Sequence, residues 1–272
     1  MHYLRLPTIL FFFLATGVAV SAHMEIVAPP SFKNKKNPNA NGDIDYSNTS
    51  PLATDGSNFP CKGYHKLLGT PAGAPVAHWK AGETHSITVG GQAWHNGGSC
   101  QISLSLDGGK SFTVIHSYIG NCPSGPGETS MSFRVPSDTP SSDSAILSWS
   151  WLNNLGSREF YHQCAPITIS GRRRRGTEKV SFSSRPQMFT ANIGNGCKTM
   201  ETKDALFPNP GPDVTMNAEK AAPPVGDCGP SGGGGDEWPS RPGAQQPAPD
   251  EGSPELPATR GHGDSPNFGD GE

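Results

Sequence analysis

The sequence predicts an all-β protein. The expected form is an antiparallel β-sandwich of the immunoglobulin or fibronectin type, with long surface loops and a disordered C-terminal tail. Three observations predict it. The 34 Gly and 27 Pro make up about a fifth of the 272 residues, against roughly 12% in average usage, and both break helix interiors. Short runs at period two recur between residues 23 and 228, with no long helical pattern among them. Only 33% of residues are hydrophobic and 17% charged, which argues against a helical bundle and a polytopic membrane protein. The formal charge of −3 offers no basic surface to nucleic acid.

Residues 1–22 read as a secretory signal. Arg5 supplies a basic start, residues 9–20 an apolar stretch, and Val20-Ser21-Ala22 the small residues of a cleavage site. The apolar run is short and lacks a basic stop-transfer sequence, so no membrane anchor is expected. Cleavage after Ala22 makes His23 the new N-terminus. The polar stretch 27–57 should be an ordered surface loop or short helices over one end of the sandwich.

The strand-like runs follow. The run 84–89 pairs Ile87 with Val89 at period two. Ile102, Leu104 and Leu106 alternate with polar residues, Asp107-Gly108-Gly109 turns, and 112–115 returns, a hairpin signal. Runs 130–135, 145–151 and 167–169 look like further strands. Arg172, Arg173, Arg174 and Arg175 then form either a solvated loop or a site for a basic-residue-specific secretory protease. The last 44 residues hold 11 Gly and 8 Pro, eight acidic residues and two basic. They should be disordered, and they end without the hydrophobic tail of a lipid-anchor signal. The expected organisation is a signal at 1–22, a folded domain at 23–228 and a tail at 229–272.

Secretion implies an oxidising compartment. The six cysteines, Cys61, Cys100, Cys122, Cys164, Cys197 and Cys228, then read as disulfides, with fifteen possible pairings. Asn48-Thr49-Ser50 is a glycosylation sequon, followed by Pro51.

A free N-terminal histidine offers an α-amine (reference pKa about 7.7–8.0) and an imidazole (about 6.5), which deprotonate readily for one metal. A second histidine would complete three nitrogen donors, an arrangement that suits Cu(II). His65, His78, His85, His95, His116 and His162 are available. His95 is the best candidate, because the strand-like run 89–94 ends there and Asn96-Gly97-Gly98 follows. Ala93 and His95 stand at i, i+2 and would face one way on a strand. Glu159 and Tyr161 share that spacing and would present a carboxylate beside a phenol, or else form an ordinary solvent-facing pair.

The chain also resembles a known family. The stretches that carry the likeness include His23-Met24, Asn58-Phe59-Pro60-Cys61, Ala93-Trp94-His95-Asn96-Gly97-Gly98-Ser99-Cys100-Gln101, and Gly120-Asn121-Cys122-Pro123. They continue with Ser148-Trp149-Ser150-Trp151, Arg158-Glu159-Phe160-Tyr161-His162-Gln163-Cys164, and Asn192-Ile193-Gly194-Asn195-Gly196-Cys197. Together they resemble the fungal lytic polysaccharide monooxygenases of auxiliary activity family eleven. The resemblance implies that His23 and His95 brace one copper ion, cycling between Cu(II) and Cu(I). It implies Tyr161 at the axial position, Ala93 crowding the opposite side, and Glu159 near the oxygen-binding position. Trp94 stands where smaller aliphatic residues are common in the family. The expected disulfides are Cys100–Cys122, which the hairpin brings near each other, and then Cys61–Cys164 and Cys197–Cys228.

The implied activity is oxidative cleavage of crystalline polysaccharide, chitin before cellulose and at C1, by a secreted monomer. It uses O₂ or H₂O₂ and an external electron donor. Two other classes share part of this description. One is a non-catalytic copper-binding protein with the same brace, and the other is a carbohydrate-binding wall protein without metal.

Overall fold

The structure, a computed structural model, describes residues 23–171 and 178–229. The segment read as a signal, the four arginines and all but the first residue of the expected tail lie outside the described residues. Eight strands build the frame: β1 (Met24–Ala28), β2 (Ala77–Lys80), β3 (Thr84–Gly91), β4 (Gly98–Ser105), β5 (Thr113–Ile119), β6 (Gly127–Arg134), β7 (Ser142–Asn153) and β8 (Phe160–Ser170). Five short ones follow: β9 (Cys197–Lys198), β10 (Asp204–Ala205), β11 (Val214–Met216), β12 (Ala221–Ala222) and β13 (Val225–Gly226). A three-stranded sheet, in the order β1-β3-β6, faces a six-stranded sheet, in the order β11-β5-β4-β7-β8-β2. The central pairings of the large sheet are antiparallel, and its edge strands β2 and β11 run parallel to their neighbours.

The two sheets bury one core between them. Met24 and Ile26 of β1, Ile87 and Val89 of β3, and Met131 and Phe133 of β6 meet Ile102, Leu104, Leu147, Trp149, Trp151, Tyr161 and Ile167 of the large sheet. A second core lies on the far face of the large sheet. There Ile146, Leu152, Phe160 and Cys164 pack under Phe32, Leu52, Ala191 and Phe207. The large sheet is therefore covered on both faces, and all eight residues of β4 are buried.

That double cover explains where the expected strands fall short. The runs 145–151 and 167–169 lie inside longer strands, 142–153 and 160–170. Phe160-Tyr161-His162-Gln163 shows no clean alternation, because a strand buried on both sides has no solvent face to mark. Among the polar alternates of β4, Gln101 is paired beneath the loops, whereas the buried Ser103 hydroxyl has no partner among the described residues. Gln101 donates from Nε2 to Ser117 Oγ (3.0 Å) and accepts the Phe189 N–H at Oε1 (2.8 Å).

The stretch 27–57 begins inside β1 and continues as a chain of tight turns along the open edges of β1 and β8, with the Phe32 and Leu52 side chains in the second core, and not over one end of the sandwich. The N–H groups of Phe32 and Leu52 donate to the carbonyls of Cys164 and Phe160, both at 2.8 Å. Three disulfides pin these layers: Cys61–Cys164, Cys100–Cys122 and Cys197–Cys228, with Cα separations of 5.4, 5.9 and 4.6 Å.

Candidate metal centre

His23 immediately precedes β1, an edge strand whose inner side pairs with β3. The other side of an edge strand carries unpaired backbone groups. Here a side chain of the opposite sheet takes them. Gln163 Oε1 accepts the Ile26 N–H at 2.6 Å. Its Nε2 donates to the carbonyls of Met24 (3.3 Å) and Asn48 (2.8 Å). Across the β3 side, Gly91 passes so close that an added Cβ would lie 2.0 Å from the His23 carbonyl oxygen. Both contacts fix the height and direction of the chain at His23.

His95 sits on a turn. Strand β3 ends at Gly91, so the expected strand geometry for Ala93 and His95 is corrected. Ala93 lies in the connector and His95 has a φ of +48°. Asn96 and Gly97 follow at +57° and +76°, the left-handed values that tight turns use and that Asn and Gly tolerate. The turn is tied to the β7–β8 connection. The Leu155 N–H donates to the His95 carbonyl (2.9 Å), the Asn154 N–H to Gly97 O (3.0 Å), and Trp151 Nε1 to Gly97 O (3.1 Å).

Glu159 and Tyr161 come from the start of β8. Arg158 braces the connection before them, donating to the carbonyls of Asn153 (2.8 Å), Asn154 (3.1 Å) and Gly156 (2.7 Å). Asn153 Oδ1 accepts the Glu159 N–H at 3.1 Å. The Tyr161 ring lies against Trp151, with centroids 4.4 Å apart.

These segments bring four side chains together. The ring centroids of His23 and His95 are 5.4 Å apart and nearly parallel, and Tyr161 is 5.8 Å from His23. Ligand atoms of His23, His95 and Glu159 all lie within 4.8 Å of one another. Tyr161 Oη donates to Glu159 Oε2 at 2.6 Å and lies 3.5 Å from His95 Nε2. Burial, reinforced by the neighbouring Glu159 carboxylate, raises the Tyr161 phenol far above its ordinary range and keeps it protonated. Burial also lowers the His23 imidazole, opposed by Glu159 and aided by His95 and Lys62. A neutral imidazole is the form that binds metal.

The other histidines sit elsewhere. His78 contacts Thr168, His85 stacks on Trp79, His116 contacts Thr215, and His65 lies by the Pro60 carbonyl. Cys61, His162 and Cys164 form a second compact group. Both of its sulfurs are spent in the Cys61–Cys164 disulfide, and His162 Nδ1 accepts the Cys61 N–H at 3.1 Å, so that group is structural. The donor set at His23 and His95 is different. It offers two imidazole nitrogens, a neutral phenol and a carboxylate at a part-exposed surface, which fits a copper ion. Gln163, Asn153, Arg158 and Gly91 position this centre and escaped the sequence reading. The i, i+2 series Glu159, Tyr161, Gln163 was the signal available.

No family model matches the chain. Curated relatives do. AA11 family lytic polysaccharide monooxygenase A of Aspergillus fumigatus is 45% identical over 195 residues, covering 71% of this chain and 85% of the relative. Monooxygenase B of the same species is 35% identical over 239 residues, 79% of this chain. The AA11 enzyme of Aspergillus oryzae is 33% identical over 231 residues, 76% of this chain. The chain spans about half the length of these last two, 54% and 51%. Solved structures show weaker likeness. A CBM33 polysaccharide monooxygenase gives a TM-score of 0.40 at 14% identity, over 54% of this chain and all of the other. A cellulose-active polysaccharide monooxygenase from M. thermophila gives 0.36 at 15%, over 51% and 69%. The sequence match alone settles the matter: the chain belongs to the AA11 family of lytic polysaccharide monooxygenases, copper-dependent oxidoreductases.

Proposed function

We propose that residues 23–228, secreted and cleaved after Ala22, form a one-copper monooxygenase domain that breaks chitin by oxidation at C1. The observation that carries the reading is the cluster of His23, His95, Tyr161 and Glu159 at one end of the sandwich. His23 and His95 would hold the copper through imidazole nitrogens and the freed α-amine of His23. Copper bound there supplies one-electron chemistry toward O₂ or H₂O₂, fed by an external donor.

The protein groups do the rest. Tyr161 keeps its proton, given in a hydrogen bond to Glu159, so it offers a weak neutral oxygen beside the imidazoles. Glu159 remains able to orient a polar oxidant through its other carboxylate oxygen. The His95 and Glu159 side chains are 21% and 18% exposed, so a flat polymer surface can reach the centre. Ala93, which the family resemblance puts beside the metal, would add no donor there.

The test uses chain processed to begin at His23. It should take up one Cu(II) with a tetragonal EPR spectrum, and one extra N-terminal residue should weaken uptake sharply. With copper, reductant and peroxide, β-chitin should yield aldonic-acid oligosaccharides by mass spectrometry. Copper binding with no oxidised product from chitin or cellulose would overturn the catalytic reading.

A further inference from the structure

Asn48-Thr49-Ser50 is the one Asn-x-Ser/Thr sequon in the 272 residues. Such a motif ordinarily marks an exposed loop of a secreted chain, where the asparagine amide takes a glycan. Here the amide faces inward. Asn48 is 3% exposed and Thr49 8%, whereas Tyr46, two residues earlier, is 86% exposed. The turn shows its tip to solvent and its acceptor residue to the interior. We infer that Asn48 is an interior anchor of the edge strand that presents His23, and that a glycan on this sequon and the folded terminus exclude one another, a conclusion that rests on the secretion and copper reading proposed above.

The amide nitrogen is fully engaged. Asn48 Nδ2 donates to Ser31 Oγ at 2.9 Å and to Glu25 Oε2 at 3.4 Å. An asparagine amide has two N–H donors, so both are aimed at protein groups. A glycan replaces one of those hydrogens with a sugar carbon. The sugar would then have to enter where Ser31, 1% exposed, or Glu25 now stands, and a close-packed interior has no room for it. A glycan-bearing side chain must swing out. The backbone of Asn48 is tied as well. Its N–H donates to the Asp45 carbonyl at 3.1 Å, and its carbonyl accepts Gln163 Nε2 at 2.8 Å.

Those ties reach His23 through β1. The strand pairs with β3 on one side only. Along its other edge, side-chain amides take the place of a neighbouring strand. Gln163 meets the Ile26 N–H and the Met24 carbonyl. Asn34 Nδ2 donates to the Ile26 carbonyl at 3.1 Å and to Glu25 Oε2 at 2.8 Å. Asn48 shares the Glu25 carboxylate with Asn34 and holds Gln163 through its carbonyl. Turning Asn48 outward removes support from Gln163 and Glu25 together, and Glu25 is two residues from His23.

The test uses the full chain secreted from a glycosylating yeast. Peptide mass analysis before and after enzymatic release of N-glycans should find Asn48 unmodified in the folded wild type. Pro51→Ala removes the proline that limits use of the sequon. Its glycan-bearing chains should be confined to retained or aggregated material, with unmodified chains alone in the folded fraction. Ser50→Ala/Pro51→Ala cannot be glycosylated and should be secreted and fold like wild type, which separates the glycan from the loss of proline. In processed chain that near-ultraviolet circular dichroism shows to be folded, Asn48→Ala should weaken copper binding about three- to tenfold. Ser50→Ala, which also removes the sequon, should leave it unchanged. A glycan on Asn48 in folded secreted chain, or wild-type copper affinity in Asn48→Ala, would overturn the inference and leave the copper reading standing. Wild type that takes up no copper would overturn that reading, and the glycan arm, which reads folding alone, would still stand.

Discussion

Replacing Gln163 with leucine tests how the centre is built. Leucine keeps roughly the volume and removes every polar atom. Three hydrogen bonds go, to the Ile26 N–H and to the carbonyls of Met24 and Asn48. A buried N–H left without a partner costs about 1–3 kcal/mol, and each further bond is worth about 0.5–1.5 kcal/mol net. The expected destabilisation is about 3 kcal/mol. For a folded unit of this size that is a fall of about 6–12 °C in Tm. The strand that loses its outer partner is the one that presents His23, so copper affinity should also fall, by about tenfold or more. The control is Leu104→Ala. Leu104 is buried at the far end of β4, about 20 Å along the strand from Gly98, and truncation there costs about 2–5 kcal/mol. It should match the loss of stability and leave copper affinity alone. Denaturation of copper-free protein and copper titration of both variants decide the matter. A loss under about 1 kcal/mol, or unchanged copper affinity in Gln163→Leu, would refute the argument that this side chain positions the terminus.

Two further outcomes follow from the same structure. Gly91→Ala should displace β1 at His23, because its Cβ would lie 2.0 Å from the His23 carbonyl oxygen. The expected result is a loss of about 1–3 kcal/mol and copper binding weakened more than tenfold by calorimetry. Burial pushes the Glu178 carboxyl up, but hydrogen bonds from Ser137 and the Arg134 guanidinium outweigh it and hold the group down at about 2. A depressed carboxyl contributes stability above its unfolded value near 4.5 and loses it as pH falls through the folded value. Because Arg134 is half exposed, the contribution is about 1–2 kcal/mol. Wild type should exceed Glu178→Gln in Tm at pH 7, and the gap should close between pH 4.5 and 2. A gap that is constant with pH would show that the carboxylate charge contributes nothing there.

The legible parts of the sequence were those governed by local rules. The Asp107-Gly108-Gly109 turn and the alternation before it marked the β4–β5 hairpin, because turn chemistry and period two act over a few residues. The pairing of Glu159 with Tyr161 was legible for the same reason: i, i+2 on a strand fixes the face. His95 was reached by an argument that the structure corrects. Its presentation depends on a left-handed turn, held by the Trp151 indole and the Leu155 N–H from fifty and more residues away. No local pattern encodes such a partner. The layout of the loops was hidden for a related reason. Residues 27–57 contain few apolar side chains, yet Phe32 and Leu52 enter the second core and seat the stretch along the edge of the large sheet, where the carbonyls of β8 receive its N–H groups.

A metal ligand at a chain end, as proposed for His23, would pose a physical problem that the fold has to answer. Termini fray, since the first residues of a chain are ordered only when something ties them down. A ligand on a fraying segment loses affinity in proportion to the time it spends displaced. The edge strand β1 alone would tie one side of the terminus through its pairing with β3. Gln163 ties the other side by completing the ladder from the facing sheet, and Gly91 removes the volume that would hold the two strands apart at His23. Strand β8 and the residue just before it carry Glu159, Tyr161 and Gln163 on one face. The residue that anchors the terminus and the residues that meet the imidazoles are therefore set by one rigid element. A shift of β8 would move both together and leave their separation unchanged. In the proposed reading, that coupling would let an N-terminal amine serve as part of a metal centre on an open surface.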